Sequence, residues 1–152
     1  MTTVVDRLSA SGLKVPEVAA PIGAYVPAVR SGQLVFTSGQ LPLLGGELLS
    51  MGIVGRDVEL EDAQACALQC VLNALAAAST VCEHDDVARV VKLVGYVASA
   101  QEFTAQPAVI NGASDVLVHA FGEAGRHARE AVGVAALPMN APVEVSLILE
   151  LR

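Results

Sequence analysis

The chain has no tryptophan, two tyrosines and three phenylalanines among its 152 residues. Charge is also sparse, at 16% Asp, Glu, Lys and Arg, whereas 53% of the side chains are hydrophobic. That balance excludes a disordered chain, because enough apolar surface can be buried to offset the loss of conformational entropy. Positive charge is the scarcer sign, with nine Lys and Arg against sixteen Asp and Glu and a formal net charge of -7. No Lys/Arg cluster supplies the basic stripe that binding a phosphate backbone needs, so no nucleic-acid partner is expected. Cysteines are few: Cys66, Cys70 and Cys82, with no C-x-x-C pair. An odd number makes a poor disulfide framework, and with only His84 nearby they match no zinc pattern. They are expected to be reduced thiols packing as small apolar groups. The start of the chain lacks a basic stretch followed by an apolar run, so no secretory signal is read and a cytoplasmic location is expected. Length suits a single domain over residues 1–152.

Another absence is local: Ala63 to Cys82 carries no charge and is about as long as a membrane span. It contains Gln64, Gln69, Asn73, Ser79 and Thr80, however. On a helix, Leu68, Val71, Leu72 and Leu75 share one face, while Gln69, Asn73 and Thr80 lie on another. The segment reads as an amphipathic helix buried against a sheet, and no membrane association is expected.

The remaining elements follow from period and punctuation. Residues 1–20 read as a short helix, with Val4, Val5 and Leu8 apolar, and a connector broken by Ser11-Gly12 and Pro16. Tyr25 to Arg30 is extended, with Pro27 confining it to a start or an edge. Leu34 to Ser38 is a strand, and the Gly- and Pro-rich run from Leu41 to Gly55 is a loop with room for a short strand. The long helix begins near Glu59, where Glu59, Glu61 and Asp62 suit a helix N-terminus. Glu83 to Asp86 is a turn. Val87 to Ala98, rich in β-branched residues, is a long strand. A second helix runs from Pro107 to Phe121 and stops at Gly122. Arg129 to Ala135 is a strand, and Leu137 to Pro142 a turn. In the last strand Val143, Val145, Leu147, Leu149 and Leu151 point one way, and Glu144, Ser146, Ile148 and Glu150 the other. With no sustained strand–helix alternation, the class is α+β: a mixed sheet with two helices packed on one face.

Familiar catalytic motifs are missing. No Walker loop or dinucleotide fingerprint is present. His84, His119 and His127 lack the spacing and acidic neighbours of a metal site, and His119 is read as structural. What remains is a set of polar residues at strand ends beside small ones. Arg129 offers a forked, permanent cation to a carboxylate. Glu144, on the polar side of its strand, can hold or activate a water. Ser38-Gly39 offers a hydroxyl and open backbone donors, and Tyr25 a ring with a hydroxyl. The competing reading is plain: Arg129 and Glu144 pair across neighbouring strands as a solvated ion pair worth about 0–1 kcal/mol.

At these residues the sequence resembles a known family. Thr37-Ser38-Gly39-Gln40-Leu41-Pro42 is one matching segment. Another is Ala128-Arg129-Glu130-Ala131-Val132-Gly133-Val134-Ala135-Ala136-Leu137-Pro138, followed by Val143-Glu144-Val145. With Ala20 to Val26 and Val91 to Phe103, they are similar to the Rid (YjgF-type) family of reactive imine and enamine deaminases, once described as endoribonuclease L-PSP. The resemblance implies a chorismate-mutase-like fold, a homotrimer, and ligand sites in clefts between subunits. It implies that Arg129 clamps a substrate carboxylate, that Glu144 positions the hydrolytic water, and that Tyr25, Ser38 and Gly39 line the site. Asn111 aligns with a site asparagine across an insertion. No cofactor or metal is implied. Ala131 stands where the family often has cysteine, and Ser146 where a second acid is common. Residues 1–20 are an extra N-terminal extension, and the segments Asn111 to Asp115 and Gly125 to Arg129 are features of a longer branch.

The activity implied is hydrolysis of 2-imino or 2-enamino acids to 2-oxo acids and ammonia, acting on a small carboxylate without a cofactor. The alternative is a non-catalytic binder of small carboxylates using the same cleft. A ribonuclease is disfavoured by the charge. RNA is therefore expected not to bind at physiological salt; a tight complex in filter binding, weakening steeply with added salt, would overturn this.

Overall fold

The computed structural model describes all 152 residues. Its helices are α1 (Val4–Ala10), α2 (Leu60–Ala78) and α3 (Gln106–Phe121). The strands are β1 (Ala28–Ser31), β2 (Leu34–Thr37), β3 (Leu43–Leu44), β4 (Glu47–Leu48), β5 (Val87–Ala98), β6 (Ala128–Val134) and β7 (Val143–Leu151). Five strands form one mixed sheet in the order β1-β2-β7-β5-β6, with β3 and β4 as a separate hairpin. β6 runs parallel to β5 at one edge, and the other pairings in the large sheet are antiparallel. The class is α+β as expected, with three helices rather than two on one face.

The core lies between that face and α2 and α3. β7 behaves as its alternation requires: Val143, Val145, Leu147, Leu149 and Leu151 are buried, and the residues between them are partly exposed. Leu93 and Val97 of β5 face the same way, against Val109, Ile110, Ala113 and Leu117 of α3. α3 starts with Pro107 in its first turn and stops at Gly122, whose φ of 62° is open to glycine at little cost. α1 is capped by Thr3, whose hydroxyl accepts from Asp6 N. It buries Val4 and Leu8, but not Val5, and docks on α3. Arg7 Nε donates to the Ala120 carbonyl at 2.6 Å, and His119 Nε2 lies 2.8 Å from the Arg7 carbonyl.

Helix α2 departs from its amphipathic reading. Gln69 and Asn73, placed on a polar face, are buried, and Leu68 is only partly so. The hairpin explains it. Gly45 and Gly46 turn with φ of 62° and 84°, which folds β3 and β4 over this side of α2. Asn73 Nδ2 then donates to the carbonyls of Leu41 and Leu43, both at 2.9 Å, and Asn73 Oδ1 accepts from Gln69 Nε2. A polar helix face thus serves main-chain carbonyls at the start of the hairpin. Strand edges move a little as well. β1 begins at Ala28, not Tyr25, because Pro27 has no N–H for a ladder. β6 runs one residue earlier than read. The thiols of Cys66 and Cys70 are buried, which pushes both up from the usual thiol range. No helix is long and apolar enough to cross a membrane.

Replacing Asn73 by alanine removes the amide donor from both carbonyls beneath the hairpin, leaving that of Leu41 with only Leu43 N. Asn73→Ala is expected to cost about 2–4 kcal/mol in urea unfolding; a loss below about 0.5 kcal/mol would show that water replaces the amide.

Candidate active site

The predicted residues fall into two groups. The first gathers around Glu144. Flanked by the fully buried Val143 and Val145, Glu144 turns to the sheet face that no helix covers. Its cross-strand neighbour is Tyr96. On the other side Gln40 and Val145 exchange backbone hydrogen bonds of 2.8 and 3.0 Å, which bring Gly39 beside the carboxylate. A Cβ at Gly39 would stand 2.9 Å from Glu144 Oε2, so the glycine makes room for the acid. Ser38 N donates to the Pro27 carbonyl at 2.8 Å, and Ser38 Oγ donates to the Val26 carbonyl at 2.7 Å. That holds the adjoining Tyr25 near the same end of the sheet, half-exposed, with its hydroxyl accepting from Ile22 N. Burial raises the Glu144 carboxyl above the usual carboxylate range.

The second group surrounds Arg129. Arg129 lies opposite Leu93, which is wholly buried, so it points to the helix side. Its Nη1 donates to Asn111 Oδ1 at 2.7 Å and to Ser114 Oγ at 3.2 Å, both on α3. Asn111, aligned only across an insertion, thus stands beside the arginine. Ser114 Oγ is also 2.9 Å from His127 Nε2.

Arg129 and Glu144 do not meet. β5 separates their strands, so no ion pair forms across neighbours, and the two side chains leave opposite faces. Two strand spacings and three residues of offset put their backbones roughly 14 Å apart. Within one chain the candidate site is therefore two half-sites. Three residues were not read as part of the site: Tyr96, Ser114 and His127, the last weighed only as a metal ligand. Ser114 follows Asn111 by three on a helix, and His127 precedes Arg129 by two on one side of an extended segment, so spacing carried a signal.

Comparison with known proteins decides the family. Residues 5–151 match the model of the YjgF/chorismate mutase-like, putative endoribonuclease family. The chain belongs to this family. It is similar to protein TCP17 of Trypanosoma cruzi, 43% identical over 98% of this chain and 94% of that one. Its fold is similar to a putative endoribonuclease from Shewanella oneidensis MR-1, with a TM-score of 0.94 and 38% identity over 98% of this chain and 99% of that one. It is also similar, with a TM-score of 0.62 and 27% identity over 90% of this chain and 94% of that one, to Escherichia coli TdcF, whose structure was solved with bound serine. The chorismate-mutase-like expectation for the fold therefore holds.

The raised Glu144 carboxyl has a stability consequence. Its protonated form is favoured on folding, so the stability it contributes is present below the ordinary glutamate range and is lost as pH rises through the raised value. Glu144→Gln should match the parent near pH 4 and exceed it in Tm at pH 7. Equal Tm values at both pH values would show a fully solvated carboxylate.

Proposed function

We propose that the protein hydrolyses reactive 2-imino and 2-enamino acids to 2-oxo acids and ammonia, in a cleft shared between copies of the chain in a homotrimer. The observation that carries this is the pair of half-sites: a tethered arginine on one face and a partly desolvated carboxyl on the other. A second copy can bring the Arg129 side of one chain to the Glu144 side of the next. The open sheet face supports such packing. Val29, Phe36 and Ile148 lie in one cross-strand row of it, with Leu34, Val94 and Val132 alongside, and four of these six are exposed large hydrophobics. The row continues into Lys92, which pairs with Glu130, so the face mixes exposed hydrophobics with charge, as an interface between copies would.

In the proposed reaction the substrate carboxylate docks on Arg129 through paired N–H donors. An enamine first tautomerises to the imine. Glu144, ionised, orients a water and takes its proton as the oxygen attacks C2 of the imine, whose nitrogen is protonated. Glu144 returns that proton to the nitrogen of the resulting amino alcohol. The hydroxyl then gives its own proton back to the carboxylate as the C–N bond breaks, ammonia leaves, the 2-oxo acid remains, and the proton leaves with ammonia as ammonium. Positioning and electrostatics supply the acceleration. Serine, the molecule named with the TdcF structure, is itself a 2-amino carboxylate, which agrees with this ligand class.

The test measures 2-oxo acid binding by calorimetry and imine hydrolysis with substrate generated in place by an amino-acid oxidase. Arg129→Lys keeps the charge but loses the fork, and should lower both affinity and turnover about ten- to a hundredfold. Glu144→Gln should leave affinity nearly unchanged and cut turnover about a hundredfold. Parental turnover in Glu144→Gln would remove the water-activating role. Binding by the parent without any acceleration over buffer would establish a carboxylate-binding module instead. Light scattering should give three times the 15.6 kDa chain mass; a stable monomer at micromolar concentration would remove the shared cleft.

A further inference from the structure

Behind Arg129 stands a chain of hydrogen bonds that the proposed chemistry does not use. His127 Nδ1 lies 2.6 Å from the Gly125 carbonyl oxygen. A carbonyl only accepts, so Nδ1 carries the hydrogen. In the neutral ring Nε2 then presents a lone pair, 2.9 Å from Ser114 Oγ. The serine hydroxyl donates to it, which turns the oxygen's lone pairs toward Arg129. Nη1 of Arg129 donates into them at 3.2 Å and gives its other hydrogen to Asn111 Oδ1 at 2.7 Å. Both Nη1 hydrogens are spent. Three N–H donors of the guanidinium remain, on Nη2 and Nε, and two of them lie parallel along one edge of the fork.

The backbone holds this chain in place. A Cβ at Gly125 would collide with the Leu117 carbonyl, so residue 125 packs its main chain directly on the last turns of α3. The carbonyl that sets the histidine tautomer is thereby seated on the helix that carries Asn111 and Ser114.

We infer that His127, acting through Ser114, is a positioning residue for Arg129: it turns the serine hydroxyl so that Asn111 and Ser114 hold Nη1, and the guanidinium presents its Nε–Nη2 edge to a planar carboxylate. This rests on Arg129 being the carboxylate clamp proposed above. The edge so presented has two parallel donors, the geometry for a bidentate carboxylate.

Two measurements test it on the full chain. Long-range nitrogen–proton correlation spectra of the imidazole should show His127 as the Nδ1–H tautomer without any ligand; an Nε2–H tautomer overturns the inference. Calorimetry with 2-oxobutanoate as the probe should show Ser114→Ala and His127→Phe each weakening binding about three- to tenfold. Ser114→Thr, which keeps the hydroxyl, should bind like the parent. In the Arg129→Lys background, Ser114→Ala should change nothing further, because Ser114 acts only through the guanidinium. A loss shared equally by Ser114→Thr, or one that persists in the Lys background, would mark a merely structural serine and overturn the inference. If Ser114→Ala binds as well as the parent, the positioning role alone falls and the clamp stands. If the parent binds no 2-oxobutanoate, the clamp falls, and this inference with it.

Discussion

Helix α3 lies where it does because residue 112 has no side chain. A methyl group there would run into the Gln64 carbonyl of α2, so the two helices touch backbone to backbone at that point. The contact is reinforced one turn away, where Gln64 Nε2 donates to the Ala108 carbonyl at 2.9 Å. Beneath it Gly95 of β5 leaves space for the Ile110 side chain, so α3 is seated on the sheet as closely as on its partner helix. Everything on the Arg129 side inherits this placement. Asn111 is next to the contact residue, Ser114 is two residues beyond it, and the chain folds back onto the same helix before β6 begins. The tight core needs small residues elsewhere as well: α2 packs through Ala63, Ala67, Ala74 and Cys70, which allow burial on nearly every side.

The order of strands matters as much as their sequence. Insertion of β5 between β6 and β7 holds apart two residues that are near in the chain, and the register of each pairing puts them on opposite faces. A monomer with this arrangement can hold an anion on one side or orient a water on the other. Joining the two acts takes a second surface. The uncovered sheet face bears exposed Val29, Leu34, Phe36 and Val132 beside charged Lys92, Glu130 and Glu150, a mixed surface of the kind that partners cover.

Much of this architecture was legible from local pattern. β7 alternates strictly, β5 is a run of β-branched residues, and both end within a residue or so of where the pattern stops. Gly122 marks the end of α3 for a reason that travels with the residue, its tolerance of positive φ. Illegible features were those that depend on contact between distant segments. Gln69 and Asn73 look like a solvated face until the hairpin needs donors for its carbonyls. That Arg129 and Glu144 leave opposite faces follows from the registers that put Arg129 opposite Leu93 and Glu144 opposite Tyr96, which no local window contains. Tyr25, Ser38 and Gly39 were grouped only through the family resemblance; what brings them together is Ser38 bonding to the Val26 and Pro27 carbonyls. Ser114 and His127 had suggestive spacing, but only the seating of α3 against β6 makes them neighbours of the arginine.

Helix α1 adds a consequence for how the molecule is made. Arg7 reaches the Ala120 carbonyl across 113 positions of sequence. A helix of seven residues has no stability of its own in water, so α1 forms only against a surface that is already present. That surface, the outer flank of α3, is synthesised long after α1 has left the ribosome. Val4 and Leu8 must therefore wait, unburied, through most of translation. A segment made before the helix it rests on finds its place only once that helix exists, and in the finished protein it is a clasp over the outer flank of α3.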